Sequence, residues 1–526
     1  MFLKKEKLII EAPILLGISI YAYLINWYSG NIGVLPIDSF GFLDTGHSIT
    51  KGHLPIRDFW IFTGLLVDYM EAIFLFLFGN NWNSHLAHGS FMNIVGTIGL
   101  YLFLKEYNFK SFHILFYCLS FATLCYPLSG TPFAYLHAYI FSLLAIFNLI
   151  IAIKKKSKVL WFLFPYLCLL AFLSMQTPTA YILIILLILL MCYFIKNKDI
   201  NNFKFFIFGC ISSISLFLFF LYVTQTPIMN FIYQYILFPL TIGEGRISSK
   251  ELAYISLIDQ LNFKRLIGEF KFIHVFLFPL IFLSFKNIKK DNRNINFLNF
   301  TIILSVLAFF FNQLITANQI YIFSLIPILA AICQLNLKNL GFNPKYFYII
   351  FFIFLFATSK FHLRFNIDRK FHDLENINKN DAINADQIHK SFNKLKWINK
   401  FDNPKNELLV IKKAMKVIKN DKREKSLITH YQFISTLTDN RLNLLNRWYL
   451  WDNNTHPTEN HKYFEFYKSM INKNIQKNNI KVIYLLGQEN EILFKHVENY
   501  FSDICFESKI IIEKRFSSHK LIKCSR

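Results

Sequence analysis

The sequence lacks the short motifs that identify many enzymes. It contains no Walker loop, no dinucleotide-binding fingerprint and no cysteine or histidine spacing of a zinc site. Acidic residues are also few, because 33 Asp and Glu stand against 56 Lys and Arg, a formal net charge of +23. No basic helix or nucleic-acid-binding motif accompanies this excess of positive charge, so we do not interpret it as a nucleic-acid-binding surface.

Long apolar runs dominate the composition instead. Hydrophobic residues make up 54% of the chain and aromatic residues 18%, including 61 phenylalanines. A water-soluble protein does not bury this much aromatic surface in repeated apolar blocks. The composition therefore predicts an α-helical polytopic membrane protein. The first apolar run lacks a small-residue cleavage site, which favours a retained anchor over a cleaved signal peptide.

The apolar runs predict about eleven transmembrane helices and one helix that lies along the membrane surface. A bilayer core needs roughly 20 apolar residues in helical form. The surface helix is the segment 61–79. The predicted spans are 8–28, 88–104, 111–128, 132–153, 159–175, 179–195, 203–224, 272–285, 297–316, 320–335 and 346–359.

Lysine and arginine set the predicted orientation. Lys4, Lys5 and Lys7 precede the first span, and lysines recur in alternate links, whereas the short links 129–131, 174–178 and 317–319 contain none. Cytoplasmic links carry the positive excess, so the N-terminus should be cytoplasmic and the C-terminal tail periplasmic, in a cell inner membrane. If 61–79 crossed the bilayer, this charge bias would reverse. We therefore predict a juxtamembrane segment there.

Four regions follow from this topology. They are the anchor 1–28, a first periplasmic loop 29–87, a transmembrane bundle 88–359 and a periplasmic α/β domain 360–526. The domain has strand patterns at 426–430, 480–486 and 510–512 and helical patterns at 460–477 and 488–501. Cys505 and Cys524 are the only cysteines of this domain. They either form a disulfide or are two buried thiols.

The first periplasmic loop holds a dense group of charged and titratable residues. Asp38 comes soon after the first span, where a partly desolvated carboxylate could take a proton from an acceptor hydroxyl. The alternative is that Asp38 caps a helix from about Ser39 to Lys51, and both roles are compatible. Asp44 lies six positions later, about 600° around a helix, so it should project away from Asp38 into solvent.

The second half of the loop contains Arg57 and Asp58. Asp58 either forms a structural ion pair with Arg57 or takes part directly in acceptor binding. His47 and His53 are candidates for binding phosphate or acceptor, although such histidines can also be simple interfacial residues. The alternatives stay open at the level of sequence.

The motif residues of this loop resemble a known family. An Asp soon after the first span, an intervening helix, a Gly, a Pro-x-Arg-Asp-Phe segment and an apolar stretch look like the first periplasmic loop of GT-C glycosyltransferases, which include protein O-mannosyltransferases and aminoarabinose transferases. The matching residues are Asp38, Gly52, Pro55, Arg57, Asp58, Phe59 and Gly64. The resemblance implies a polyprenyl-phosphate sugar as donor and a hydroxyl of a glycan, lipid or protein as acceptor. It further implies Asp38 as the base, with inversion at the sugar.

The sequence departs from the family pattern in two places. Family members commonly begin the motif with two acids, whereas Ser39 follows Asp38 here. Many also have an acid in the second outer loop, but 129–137 contains no carboxylate. A divalent metal needs several hard oxygen ligands, so we expect transfer without metal or other cofactor.

Donor recognition requires cations on the outer side, where the predicted topology offers few. The candidates are Lys51, Arg57, Arg246 and Lys250, the last two beside a glycine-containing turn. Arginine can bind a phosphate with two parallel hydrogen bonds, and backbone amides of a turn can approach it closely. His137 and Gln176 are candidates for lining the cavity; Gln176 could instead satisfy a helix end.

Two other functional classes fit the topology. A transporter or flippase of lipid-linked glycans or solutes would need ionisable residues within the membrane and interrupted helices. A surface-polysaccharide polymerase or ligase would normally place its large outer domain between two spans. A purely structural membrane protein would leave the loop acids unexplained.

Overall fold

The computed structural model describes residues 5–125, 130–248, 262–290, 292–316, 322–439, 442–450, 453–487, 490–501 and 504–524. Helices account for most of the described residues up to His362. The helices are α1 Lys5–Gly30, α2 Pro36–Ser39, α3 Gly41–Thr50, α4 Leu65–Phe78, α5 Trp82–Glu106, α6 Ser111–Cys125, α7 Ala134–Lys155, α8 Lys158–Ser174, α9 Gln176–Asn197, α10 Ile200–Val223, α11 Ile228–Phe231, a π-helix at Ile232–Leu237, α12 Phe238–Ser248, α13 Phe263–Glu269, α14 Lys271–Ile288, α15 Arg293–Ile315, α16 Leu325–Leu340 and α17 Lys345–His362.

The chain is a helical protein whose apolar helices are those of a membrane protein. Within the described residues, seven helical segments are long and apolar enough to cross a bilayer: Trp82–Glu106, Ala134–Lys155, Gln176–Asn197, Ile200–Val223, Lys271–Ile288, Arg293–Ile315 and Lys345–His372. The helices α6, α8 and α16 are apolar but shorter. Each of the eleven predicted spans overlaps an α-helix, although positions 126–128 and 320–321 of two spans lie outside the described residues, and a total of eleven crossings stays a prediction.

Helix α4 occupies most of the predicted juxtamembrane segment. Gly64, with a φ of 73°, precedes it, so the helix begins at Leu65. Its 14 residues extend about 21 Å, which is less than the hydrocarbon thickness of a bilayer. Asp68 and Glu71 are fully buried, whereas Phe76 is 82% exposed. The helix therefore has one apolar outer side and one side with two buried carboxyl groups.

The C-terminal part contains a small mixed sheet of four strands. The strands are β3 Lys425–Thr429, β4 Val482–Leu486, β5 Ile504–Ile512 and β6 Phe516–Lys523, in the order β3-β4-β6-β5. β3 and β4 are parallel, and β4 pairs with β6 and β6 with β5 in antiparallel fashion. The short strands β1 Ile383–Asn384 and β2 Lys396–Trp397 form a separate ribbon. The three strand patterns found in the sequence are confirmed.

In the described C-terminal residues, four α-helices accompany this sheet: α18 Pro404–Asn420, α19 Ile434–Thr438, α20 Phe464–Lys477 and α21 Asn490–Glu498. The two helical patterns predicted from the sequence fall on α20 and α21. Cys505 and Cys524 form a disulfide that joins the open ends of the β5–β6 hairpin. The disulfide alternative is therefore confirmed.

The first loop contributes aromatic residues to both faces of this sheet. Adjacent residues of a strand point to opposite faces, and β3 and β4 divide their apolar side chains between two cores. Phe40 belongs to one core, where its ring stacks on Trp397 at 5.7 Å. Trp60 belongs to the other, where its ring meets Tyr467 edge-on at 5.2 Å. The first loop and the C-terminal sheet thus form one folded unit.

Candidate functional site

Asp38, the predicted catalytic base, is more exposed than the other two carboxylates of the first loop, Asp44 and Asp58. The chain leaves α1, pairs briefly with the C-terminal part through Gly33 N–H and the carbonyl of Lys396 (2.9 Å), and turns into the short helix α2. The Asp38 side chain is half-buried and accepts no hydrogen bond from the residues that the structure describes. Burial raises the pKa of Asp38 to about 7. A carboxyl group in this setting can exchange a proton near neutral pH.

The prediction that Asp38 caps the following helix is wrong. Helix α3 starts at Gly41, its N-cap residue is Phe40, and no side chain caps it. Asp38 lies inside the separate helix α2. Its carboxylate therefore accepts no hydrogen bond from the first backbone amides of α3.

Asp44 does not project into solvent, contrary to the sequence prediction. Its side chain is buried and accepts a hydrogen bond from the Ser435 hydroxyl of the C-terminal part. Burial raises the pKa of Asp44 to about 7, although the bond from Ser435 acts in the opposite direction. The geometric reason is the break at Phe40, which separates α2 from α3, so that the two aspartates do not lie on one helix.

His47 and Lys51 also connect α3 to the C-terminal part. Lys51 Nζ lies 2.7 Å from Asp439 Oδ1, and His47 Nε2 lies 3.4 Å from the same oxygen. Burial lowers the pKa of His47. Together with Asp44, these residues place one side of α3 against the segment 435–439. His53, the other histidine of the motif, is buried.

Arg57 and Asp58 form an ion pair that is integrated in the loop. Asp58 Oδ2 accepts from Arg57 Nε at 2.9 Å and from the amide of Leu54 at 2.9 Å, while Oδ1 lies 3.0 Å from Lys477 Nζ. These contacts lower the pKa of Asp58 against the opposing effect of burial. Arg57 further donates to the carbonyls of Gly52 and Thr224. The structural ion pair is present, and it joins the loop to the end of α10.

A pocket lies beside this ion pair, between the first loop and α20. Its volume is about 200 Å³. The polar lining residues are Arg57, Asp58, Asn230, Ser469, Lys473, Asn474 and Lys477. Three cationic side chains thus face one carboxylate, which leaves an excess of positive charge. Lys473 is exposed and forms no hydrogen bond or ion pair with the residues that the structure describes, so its ammonium group can bind an anion there.

A second ion pair, Asp68 with Arg447, is buried between α4 and the C-terminal part. The two side chains are 0% and 1% exposed. Arg447 also donates to the carbonyl of Thr63, and its guanidinium lies 4.5 Å from the ring centre of Phe42. Burial raises the pKa of Asp68 to about 6, while the charge of Arg447 acts in the opposite direction.

Trp448 brings the C-terminal part next to Asp38. Its indole N–H donates to the carbonyl of Ile37 at 2.9 Å, and its ring meets Phe42 edge-on at 5.6 Å. Trp448 is half-buried and lies beside α2, on the side that faces the C-terminal part. Asp38 therefore lies where the first loop and the C-terminal part meet.

Glu71 is the centre of a buried chain of hydrogen bonds. Its two oxygens lie 2.8 Å from Nδ1 of His85 and 2.8 Å from Nδ1 of His88. His85 Nε2 donates to the carbonyl of Ser39 at 3.0 Å, and His88 Nε2 lies 3.0 Å from His137 Nε2. The chain connects α2, α4, α5 and α7. The two histidines hold the pKa of Glu71 below its usual range, although burial alone would raise it.

The other predicted site residues lie elsewhere. Gln176 donates to the carbonyls of Phe62 (2.8 Å) and Tyr235 (2.7 Å), so it joins the first loop to the π-helix. Arg246 belongs to α12, but its side chain is outside the described part of the structure, as is all of Lys250. The predicted glycine-containing turn is wrong for Gly243–Ser248, because these residues continue the helix α12 and their backbone amides are part of it.

Among the described residues, no group of three His, Cys, Asp or Glu side chains is arranged to hold a metal ion. The comparisons with known proteins do not add a family to these observations. Neither the models of protein families nor the curated proteins include a match to this chain.

Sequence reasoning missed Asp68, Glu71, His85, His88 and Arg447. A signal for four of them was present, because the two acids of α4 and the two histidines of α5 are each three positions apart. That spacing places each pair on one face of a helix. Two acids in an otherwise apolar amphipathic helix indicate buried partners, since unpaired burial of a charge is unfavourable. Arg447 had no comparable signal in the sequence.

Proposed function

We propose that the chain is an integral-membrane glycosyltransferase that transfers a sugar from a polyprenyl phosphate to a hydroxyl acceptor. The observation that carries this proposal is Asp38, a half-buried carboxylate with raised pKa in the short helix α2, soon after the first long helix α1 ends at Gly30. The resemblance of the motif 38–64 to the first loop of GT-C glycosyltransferases supports it. No described contact occupies the Asp38 oxygens.

In the proposed reaction Asp38 is the general base. It takes the proton of the acceptor hydroxyl while that oxygen forms a bond to the anomeric carbon of the sugar. The bond from this carbon to the phosphate oxygen breaks, and polyprenyl phosphate leaves with the bonding electrons, giving inversion. A phosphate leaves without being protonated, so one carboxylate suffices. Proton transfer to a positioned side chain contributes roughly 10²–10⁴-fold in rate.

The pocket beside Arg57 is the proposed site of the donor phosphate. It lies next to the end of α10, a candidate membrane span, where the phosphate of a lipid in the bilayer would also lie. The described contacts of Arg57 already use most of its N–H groups. Arg57 therefore contributes mainly charge, and Lys473 and Lys477 supply donors that can reorient toward the phosphate.

The first loop and the C-terminal part share a core, so we propose that both lie on the outer side of the inner membrane. The alternating lysines of the links support a cytoplasmic N-terminus. The C-terminal part then covers the loop and contributes to the choice of acceptor through Trp448.

An accessible-tag experiment tests this orientation. Tags placed after Asn80, at Lys156 and at Lys400 are expected to react with an impermeant reagent on the outside, inside and outside, respectively. These positions lie in the link before α5, at the end of α7 and in a turn of the C-terminal part. Labelling of the Asn80 position only from the cytoplasm would contradict the surface assignment of α4.

Transfer can be tested with purified protein. Polyprenyl phosphates carrying different sugars would be incubated with it and with the lipid-linked glycans of a deletion strain, and the products analysed by mass spectrometry. A glycan extended by one sugar, together with released polyprenyl phosphate, is the expected result. Failure to extend any acceptor that accumulates in the deletion strain would contradict the proposal.

The pH dependence of transfer gives a second test. A base is active only when deprotonated, and the pKa of Asp38 is raised to about 7. The value of kcat/KM should therefore rise about tenfold per pH unit below this pKa and level off above it. A profile that is flat between about pH 5 and 8 would contradict the role of a carboxylate with raised pKa.

Replacing Lys473 by Gln should weaken donor binding about tenfold, because a hydrogen bond to a charged group contributes about 1.5 kcal/mol or more. Binding of a radiolabelled polyprenyl-phosphate sugar to protein in nanodiscs measures this. Lys481→Gln is the matched control, since this exposed lysine of the same domain lies outside the pocket. Equal affinities in the two variants would exclude the pocket as the phosphate site.

Proton-coupled transport is a second candidate function. It is favoured by the ionisable chain of Glu71, His85, His88 and His137, three of whose members lie in the candidate spans α5 and α7. Ionisable residues within spans are typical of transporters. Proteoliposomes separate the two functions, because a transporter accumulates an unmodified substrate under a proton gradient whereas a transferase changes its covalent structure.

A further inference from the structure

The buried chain of hydrogen bonds from the Ser39 carbonyl to the Phe133 carbonyl requires a fixed number of protons. The carbonyl of Ser39 can only accept, so His85 Nε2 carries a proton. The carbonyl of Phe133 likewise accepts from His137 Nδ1 at 2.8 Å. Both ends of the chain are therefore fixed as donors.

Three further contacts lie between these ends. They join His85 to Glu71, Glu71 to His88 and His88 to His137, at 2.8, 2.8 and 3.0 Å. Each contact needs one proton between its two heavy atoms, because two lone pairs at such a distance repel each other. Together with the two fixed protons, the chain requires five.

Three neutral imidazoles and an ionised Glu71 hold only three protons and have a net charge of −1. A fourth proton charges His85, which then pairs with the Glu71 carboxylate and makes the group neutral. His88 can then donate from Nδ1 to Glu71, which leaves its Nε2 without a proton. The contact between His88 and His137 is satisfied only by a fifth proton, which brings the net charge to +1.

We infer that Glu71, His85, His88 and His137 form a proton-binding site in which one exchangeable proton is shared between His88 and His137. This inference does not depend on the proposed sugar transfer. Both imidazoles are 0% exposed, and the ring of Phe74 stacks on His88 at 5.1 Å. The proton therefore sits between two candidate spans, away from bulk water.

The shared proton is opposed by its own burial. A net buried charge is unfavourable, while an unsatisfied contact between two buried imidazoles is also unfavourable. The neighbouring charged groups are Asp68, one turn earlier on α4, and its partner Arg447, which compensate each other. The occupancy of the site should therefore respond to any charge that approaches α4. Loss of the proton removes the attraction between α5 and α7 at this point.

Magic-angle-spinning NMR of the full chain with ¹⁵N-labelled histidine in lipid bilayers tests this. Between about pH 5 and 9, His88 and His137 are expected to titrate in one common step. In the protonated state a coupling across the hydrogen bond should join the two Nε2 atoms, and the pair should carry an imidazolium signal. Two rings that stay neutral throughout, or that titrate independently, would overturn the inference.

His137→Gln provides the decisive variant. The amide of Gln can donate to or accept from His88 Nε2 without an additional proton, so the common step and the coupling should both disappear while His88 stays neutral. His113→Gln is the matched control, because His113 contacts Gln334 and is not part of the chain. It should leave the common step unchanged. If His137→Gln does not fold, the titration of His88 and His137 in the wild-type protein still tests whether the two rings share one proton.

Discussion

Replacing Asp38 by Asn should reduce sugar transfer by about 10²–10⁴-fold while the protein stays folded and binds donor normally. The amide has almost the shape of the carboxylate but cannot take the proton of the acceptor, and removal of a general base has an effect of this size. Because no described contact depends on the Asp38 carboxylate, the substitution breaks no hydrogen bond or ion pair in that part of the structure. Single-turnover transfer and equilibrium donor binding measure the two effects separately.

Asp44→Asn is the matched control for this variant. Burial raises the pKa of both carboxyl groups to about 7, but Asp44 is already bonded to Ser435. Its substitution should change the stability of the contact between α3 and the C-terminal part and leave the chemical step nearly unchanged. If Asp38→Asn retains wild-type turnover, or if Asp44→Asn alone abolishes it, Asp38 is not the base.

Replacing Arg447 by Met should lower the free energy of unfolding by about 3–5 kcal/mol. Breaking one partner of a buried ion pair leaves the other charge uncompensated, and this has a much larger effect than loss of an exposed pair. Asp68 would remain buried with only Thr45 as its described hydrogen-bond donor. Denaturant titration of the protein in detergent, followed by tryptophan fluorescence, measures the change.

Arg423→Met gives the comparison within the same domain. Arg423 pairs with Asp421, but its side chain is 44% exposed, and exposed pairs contribute about 0–1 kcal/mol. The double variant Asp68→Asn, Arg447→Met removes both buried charges and should be more stable than Arg447→Met alone. Equal destabilisation by the two arginine substitutions would show that the buried pair does not hold the C-terminal part to α4.

The elements of this fold that follow from local patterns were predictable. Apolar runs located the long helices, and short apolar segments such as 482–486 located strands of the sheet. The error at Asp44 has a local cause as well. The angle between Asp38 and Asp44 was calculated for one continuous helix, but the backbone at Phe40 has a φ of −122° and a ψ of −12°. Two helices with different axes then replace one.

The contacts that define the site were not predictable because their partners are far apart in the chain. Arg447 and Asp68 are separated by 379 residues, and Ser435 and Asp44 by 391. A single sequence contains no signal for pairing at such a distance. The charged group in the first loop could be recognised as unusual, but only the structure shows that most of its members bind the C-terminal part while Asp38 does not.

The division of Phe40 and Trp60 between the two faces of the sheet has a consequence for biosynthesis. Trp60 donates from its indole to a carbonyl 395 residues later in the chain. During synthesis the aromatic residues of the first loop therefore stay uncovered until the segment around Thr455 has been made. The C-terminal strands in turn cannot complete their cores without that loop. A segment made much later thus assembles on the first loop, and chains that stop before it present an unfinished hydrophobic surface to quality-control proteases.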